Sequence, residues 1–580
     1  MSSTPHYDVV IVGAGLAGLS LTRHLLLETD KRVLLLEKRD DPPGPQQKVG
    51  ESLVQLAGYY FSKTLDLEEY LFREHYLKYN LRFYWTTAGR ENNGFEDYSK
   101  AFSRKISDIA TFQLDRNRLE RDLLVLNQGD ERCEFVGGVK SLDAELGDGE
   151  HTVRWEGGDA RCTWLVDTSG RSGFLKKKLD LRESNPIRHG STFCWVDGLV
   201  DIEKLTDRSW RETRLDPARR KAGNFPAFLA TNHFCAEGMW FWVIPLHEKT
   251  SLGLVYEHAV LDPGEVSTAE KMLEYVCRKW PLFARDLPQR KVVDEGRYVD
   301  FSYAAKQTIS ARRWGCAGEA GRFSDPLYSP GSDLISIYNT LLVDAIETDD
   351  AAQLAEKCEA YELAMRVVYE AYVPSYAVSY NCLGDPEVFS LKYSWELAIY
   401  FGFYVFPFVN EFPTVPELRA HWLRKFGLLG TINRRLQDFL SAYFHWKKTN
   451  GVETPEPRLI EFYDFAPLSD SEKLFYDVGG SVEQRMDSLD RQYDRMKEFA
   501  RLIAAHVHAA VIGDRKALLN ADFVRGIKLR GLSFEPEAMH AEYARHAECE
   551  TSYDWNLEPF VLDAFLDDAE RASRPSAVVR

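Results

Sequence analysis

Tyr7-Asp8-Val9-Val10-Ile11-Val12-Gly13-Ala14-Gly15-Leu16-Ala17-Gly18 is the stretch on which the fold turns. Its first six residues form a short β-branched and apolar run. A helical pattern continues through Leu27, and a second apolar run covers Val33 to Leu36. Strand, helix and strand in that order make a βαβ unit. Gly13 permits the tight turn, Gly15 lets the backbone come close to a pyrophosphate, with Ala14 between them, and Gly18 lets helix and strand pack. The helix N-terminus adds N–H donors and a positive dipole end. Glu37 follows about 20 residues past Gly18, where an acid accepts hydrogen bonds from a ribose. A glycine-rich turn without a ligand is the alternative, and the complete order of strand, helix, strand and acid argues against it. The motif sits at the N-terminus and no second G-x-G-x-x-G follows, so the expected resident is FAD rather than a nicotinamide.

Around this unit lies a chain of 580 residues, 44% hydrophobic and 13% aromatic, enough apolar side chain for a globular, soluble protein of about three to five folding units. The net charge of −17, without a basic stripe, excludes a nucleic-acid partner. Leu397 to Val409 is the longest apolar run and falls short of the roughly 20 residues a membrane span needs, so it predicts a buried helix or pocket wall. The N-terminus lacks a basic and apolar leader, which predicts a cytoplasmic protein. The nine cysteines include no C-x-x-C pair, and His506 and His508 lie on different helix faces, so no metal site is expected and the thiols should be reduced and buried.

Further landmarks follow in order. Gln113 to Leu119 opens a helix after a strand and contains Arg116; Val166 to Arg171 ends a strand at Asp167; Gly318-Glu319-Ala320-Gly321 and Asp325-Pro326 come later. These segments resemble those that the FAD-dependent aromatic hydroxylase and halogenase superfamily places around its cofactor. The resemblance spans roughly residues 7–345 and implies cofactor contacts from Gly13, Ala14, Gly15, Gly18, Glu37, Arg116, Asp167, Gly318, Glu319 and Asp325. Trp240-Phe241-Trp242-Val243-Ile244-Pro245 fills every specified position of W-x-W-x-I-P, the signature of the flavin-dependent halogenases, although an aromatic strand facing a core would also alternate in this way. Gly50-Glu51-Ser52 resembles that family's flavin-adjacent loop. Lys78, within His75 to Phe83, falls at the position of the family's lysine for hypohalous acid; a solvated lysine at a strand end is the plainer alternative.

The resemblance implies that reduced FAD and dioxygen oxidise chloride or bromide, and that hypohalous acid moves to Lys78 beside an electron-rich aromatic. A free amine at neutral pH requires a shift of roughly three units from about 10.4, and hence deep burial, so an ammonium donating a hydrogen bond is the simpler expectation. Residues 325–332 align with the halide loop of tryptophan halogenases and depart from it twice. Tyr328 replaces a glutamate that assists proton removal from indole, which points to a phenol, resorcinol or pyrrole, free or tethered to a carrier protein. Pro330 replaces a threonine whose N–H helps hold the halide, leaving Ser329, Gly331 and Ser332 as candidate halide donors. A flavin monooxygenase or oxidoreductase that has lost halide use is the second reading, and a flavin-binding protein without turnover the third. With one dinucleotide motif, turnover should depend on a separate NAD(P)H-dependent flavin reductase.

The expected fold is α/β: a FAD-binding, Rossmann-like (GR2-type) core over residues 1–345, a β-rich substrate layer inserted at 185–310, and a mostly helical C-terminal region over 346–580. Helical periodicity covers Ala351 to Tyr372, Pro416 to Lys425, Asn433 to Lys448 and Ser481 to Ile512, with a loop from Thr449 to Ser471. The aromatics between Tyr393 and Phe408 suit either the roof of a substrate tunnel or packing between domains.

Overall fold

Val33–Leu36 is buried at every residue, as is His6–Val12 from Val9 onward, because both are central strands of a parallel sheet covered on its two faces. The computed structural model describes residues 4–103, 107–215, 225–452, 456–462, 466–474, 477–549 and 551–554. The sheet runs in the order Ile309–Ser310, Trp314–Cys316, Gly158–Asp167, His6–Val12, Val33–Leu36 and Cys133–Val136, parallel from Trp314–Cys316 onward. Helix Leu16–Glu28 leaves the glycine turn, and helices Arg116–Gln128 and Pro330–Ile346 pack beside it. This is the Rossmann-like core that the first eighteen residues predict.

A second sheet holds the β-rich layer. Its eight strands run Val292–Tyr298, His189–Asp197, Lys249–Glu257, Met239–Leu246, Thr231–Ala236, Leu81–Trp85, Ser99–Phe102 and Leu459–Glu461. Three of these strands lie outside residues 185–310, so the layer draws on chain from both sides of that window. Met239–Leu246 shows why its alternation matters: Trp240, Trp242 and Ile244 join the main core, while Phe241 and Val243 join a separate core under helix Ala269–Lys279.

From residue 346 the chain is mostly helical. Ala351–Ala377, Pro386–Ile399, Pro416–Thr449 and Val482–Ile512 carry this region, the last opened by a Ser481/Gln484 capping box and closed by Gly513 in the left-handed region. Pro416–Thr449 is one helix where periodicity predicts two segments. Gly427 and Gly430 break the pattern at about 1 kcal/mol each, but Leu429 and Ile432 between and after them are buried and carry the helix through. The Thr449 to Ser471 stretch, expected to be loop, contains strand Leu459–Glu461 and the start of helix Ala466–Lys473; residues 453–455 and 463–465 lie outside the described set. Leu397 to Val409 is indeed buried helix, but its centre, Tyr400–Val405, winds as a π-helix, and a second π-turn covers Tyr60–Thr64. Among the described residues no helix is long and apolar enough to cross a membrane. Seven of the nine cysteines are buried, Cys277 and Cys549 are half-buried, and none forms a disulfide.

Candidate active site

The glycine turn behaves as its three residues predict. A Cβ on Gly13, at φ +110°, would meet the Thr168 carbonyl oxygen at 2.6 Å, and one on Gly18 would meet the Gly13 carbonyl oxygen at 2.1 Å, so both are forced by close packing. A Cβ on Gly15 would meet nothing within 4 Å, because it points into a cleft of about 450 Å³. The cleft's volume lies within the roughly 300–1,000 Å³ of ligand sites, so its lining rather than its size speaks for a dinucleotide. Arg39, Lys48, Arg116 and Arg171 line it, a cationic lining in a protein of net charge −17. Arg116 is held by the Val49 carbonyl at 2.9 Å and the Glu120 carboxylate at 2.5 Å. Glu37 accepts from the Ala14 N–H at 2.9 Å, bracing the turn from beneath. The chemistry of this donor set fits a pyrophosphate and a ribose.

Gly50, Glu51 and Ser52 form one wall of the same cleft, Gly318 and Glu319 another, and Trp240, Trp242 and Ile244 a third. Burial pushes the Glu51 carboxyl up to about 7 even though the Trp195 indole N–H donates to it at 2.6 Å. Burial raises Glu319 as well, opposed by Arg171 and Arg116. Expected cofactor or tunnel side chains absent from the cleft lining include Glu37, engaged by the Ala14 and Arg39 N–H groups, and three others. The Asp167 carboxylate accepts from the N–H groups of Ser169 at 2.9 Å and Leu175 at 2.7 Å, and so fixes the turn after its strand. Asp325 is fully buried between His189 Nδ1 at 2.6 Å and the Leu327 N–H at 2.8 Å. Pro245 alternates away from Trp242 and lies beyond the last residue pairing with Thr231–Ala236, where its missing N–H leaves no gap in that ladder.

A second, largely apolar cavity of about 80 Å³ is lined by Lys78, Tyr328, Tyr372, Tyr393, Glu396 and Tyr400 among others. Lys78 is 2% exposed and donates from Nζ to Ser52 Oγ at 3.0 Å and to the Leu53 carbonyl. It therefore lines one cavity while bonded to a residue that lines the other. Burial lowers its pKa to about 7, against the opposing pull of Asp333. The deep burial that a free amine requires is thus present, and Nζ still acts as a hydrogen-bond donor. The solvated alternative for Lys78 falls for the same reason.

The loop of residues 325–332 serves both cavities. Tyr328 and Ser329 both sit in the left-handed region, at φ +70° and +61°, and these two reversals send Tyr328 into the apolar cavity and Ser329, Gly331 and Ser332 to the cleft. Pro330 is the first residue of helix Pro330–Ile346, so Gly331 and Ser332 stand in its first turn, where N–H groups have no intrahelical acceptor.

Residues 11–67 match the NAD(P)-binding Rossmann-like domain family. Over 452 residues the chain is 26% identical to the flavin-dependent halogenase chlA of Dictyostelium discoideum, covering 72% of this chain and 73% of that one. The chain is homologous to flavin-dependent halogenases. The 1H-pyrrole-2-carbonyl-[peptidyl-carrier protein] chlorinase of Pseudomonas fluorescens is 23% identical over 368 residues, 59% of this chain and 77% of that protein. The crystal structure of halogenase PltM shares the fold at a TM-score of 0.54 and 17% identity, covering 93% of this chain and 96% of the other.

Sequence reasoning missed three groups that this halogenase-like architecture brings to the second cavity or its border. Glu396 lines it. Asp333 is buried, accepts from the Ala57 N–H at 2.9 Å and is pushed up to about 7 by burial. Tyr380 accepts from Trp240 Nε1 at 2.6 Å and donates to Asp325 at 3.3 Å. Burial would lower the His189 imidazole, but its bonds to Asp325 and Glu257 outweigh burial and raise it to about 9. The clustering of Tyr393, Tyr400 and Phe408 marked the region of Glu396, though nothing local marked the carboxylate itself.

Proposed function

We propose that the protein is an FAD-dependent halogenase that uses reduced FAD, dioxygen and chloride or bromide to halogenate an electron-rich aromatic of the phenol, resorcinol or pyrrole type. The observation that carries this reading is Lys78, buried in the lining of an apolar cavity and bonded to Ser52 in the wall of the cleft that the glycine turn opens. Gly15, Arg39, Arg116 and Arg171 would hold the phosphates of FAD, and Gly50-Glu51-Ser52 would flank its ring system. Reduced FAD with dioxygen would supply the two-electron oxidation of halide to hypohalous acid, the second oxygen atom leaving as water. Gly331 and Ser332 offer N–H donors for the halide in place of the one that Pro330 lacks. Trp240, Trp242 and Ile244 wall the cleft and, in this reading, keep the substrate from the cofactor.

Lys78 Nζ already gives two N–H groups, to Ser52 and Leu53. In the neutral amine the remaining position is a lone pair, and it can attack hypohalous acid: an N–X bond forms, the X–O bond breaks, and the hydroxide released takes the amine proton to become water. Transfer of X to the ring then breaks the N–X bond and restores the amine. A separate NAD(P)H-dependent reductase would supply the reduced flavin, and the cytoplasm, where such reductases have their nicotinamide, is the matching compartment. A division into a cofactor-binding core to residue 345 and a helical cover from 346 is supported by the cleft, whose lining comes from the core alone, while the apolar cavity draws on both.

Incubation with reduced FAD, oxygen, bromide and a panel of small phenols, followed by mass spectrometry, tests the reading. A product with the paired bromine isotopes is expected. Addition of a single oxygen would instead establish the monooxygenase reading, which the missing Pro330 N–H favours, and unchanged phenols would leave a flavin-binding protein.

A further inference from the structure

Glu396 stands on helix Pro386–Ile399 with its side chain nine-tenths buried and its two oxygens in different situations. Oε1 is fully engaged: Lys392 Nζ, itself completely buried, donates to it at 2.5 Å, and Gln437 Nε2 donates at 3.0 Å. Oε2 has no hydrogen-bond partner among the described residues, and neither has the hydroxyl of Tyr328. Both side chains line the apolar cavity that also exposes Lys78. Burial raises the Tyr328 phenol well above its usual range, and the charge of Glu396 and a hydrogen-bonding contact with it add to this, a contact too poorly aligned to satisfy either oxygen. Two buried polar atoms without partners beside one apolar space are a costly arrangement unless a rearrangement on ligand entry satisfies them. Lys392, which pairs with Glu396, lies 5.7 Å from the centre of the Tyr328 ring.

We propose that Glu396 Oε2 and the Tyr328 hydroxyl together form the recognition site for a hydroxyl group on the aromatic substrate, with Glu396 accepting its O–H and Tyr328 donating to its oxygen. The inference rests on the halogenase reading and narrows it to hydroxylated aromatics over pyrroles. It also gives the carboxylate work in the reaction. As the ring carbon ortho or para to the hydroxyl attacks the halogen held at Lys78, the O–H proton moves to Glu396, a C–X bond forms, the N–X electron pair returns to nitrogen, and a dienone results. The ring C–H proton passes to the Lys78 nitrogen and restores its amine, and return of the proton from Glu396 to oxygen restores the aromatic phenol. No oxidant beyond the hypohalous acid of the main reaction is needed.

Calorimetric titration of the full-length protein with resorcinol and with its dimethyl ether tests the site without turnover. Wild-type protein is expected to bind resorcinol roughly ten- to a hundredfold more tightly than the ether, which presents no O–H to the carboxylate. Glu396→Gln should erase most of that preference. Because this change also leaves Lys392 without its anion and risks the fold, Tyr328→Phe is the companion variant: it keeps the Lys392–Glu396 pair and should lower resorcinol affinity several-fold while barely changing binding of the ether. Equal affinities in the wild type, no measurable resorcinol binding, or an unchanged preference in both variants would overturn the proposal. Mass spectrometry of wild-type turnover separates the two readings: hydroxyl discrimination with no halogen in the product leaves this site standing and removes the halogenase assignment, whereas halogenated product without discrimination does the reverse.

Discussion

Lys78 carries opposite demands of stability and chemistry, and the pH dependence of each follows from one number. The unfolded chain holds this amine near 10.4 and the folded protein near 7, so between those values the unfolded state binds more protons and folding stability rises with pH. Lys78→Met should therefore abolish halogenated product and still make the protein more stable by up to roughly 4 kcal/mol at pH 6, with the gain falling by about 2–3 kcal/mol at pH 9. Urea denaturation at the two pH values measures it, and a Met variant less stable at pH 6 would contradict the buried-amine assignment. In the wild type, halogenation rate should climb through about pH 7 as the amine loses its proton. Gly15→Val is the second test at this scale. Its Cβ enters open cleft rather than protein, so the variant should fold with an unchanged melting temperature and purify without flavin. These residues were legible because their motifs specify neighbours: three glycines and an acid, or a lysine beside its strand. Glu396 was not, since Lys392 and Glu396 four apart on a helix read as an ordinary surface ion pair. Only the packing of Trp395, Asn433 and Gln437 around that helix turns the pair inward.

Among the elements, the loop of residues 325–332 determines what each cavity receives, and its departures from the tryptophan halogenases are local enough to reverse. Pro330 occupies the first position of its helix, where any residue able to adopt helical dihedrals is accepted. Pro330→Thr should therefore restore an N–H facing the cleft without disturbing the fold, and lower the bromide KM roughly ten- to a hundredfold, as expected for regaining one donor to an anion at about 1.5–3 kcal/mol. Steady-state kinetics at varied bromide checks this, and an unchanged KM would show that Gly331 and Ser332 already saturate the halide. Element types were read well where periodicity runs long, as in Val482–Ile512. They were read poorly where tertiary packing overrides local preference: two glycines hid the continuity of Pro416–Thr449, and strand Leu459–Glu461 is too short to announce itself and exists by pairing with Ser99–Phe102.

Across the whole molecule, the sequence revealed the layers and not their stitching. Tyr380, between two helices of the C-terminal region, joins the β-layer through Trp240 and the core through Asp325, and no spacing rule connects residues so far apart. Tyr380→Phe would leave the buried Trp240 N–H without an acceptor and should cost about 1–3 kcal/mol, seen as a lowered melting temperature together with weaker coupling of oxygen use to product. The separation of the cleft from the apolar cavity, with Lys78 reaching from one toward the other, has a further consequence for timing. A molecule with two compartments can charge the first before the second is filled. In a double-mixing experiment, oxygen and bromide could be given to the reduced protein first and the aromatic added after a delay. Product should still form, and its yield against delay would trace the lifetime of the stored oxidant. Order of addition would then be a free variable in the laboratory, and the enzyme would keep a memory of dioxygen after the gas itself had been consumed.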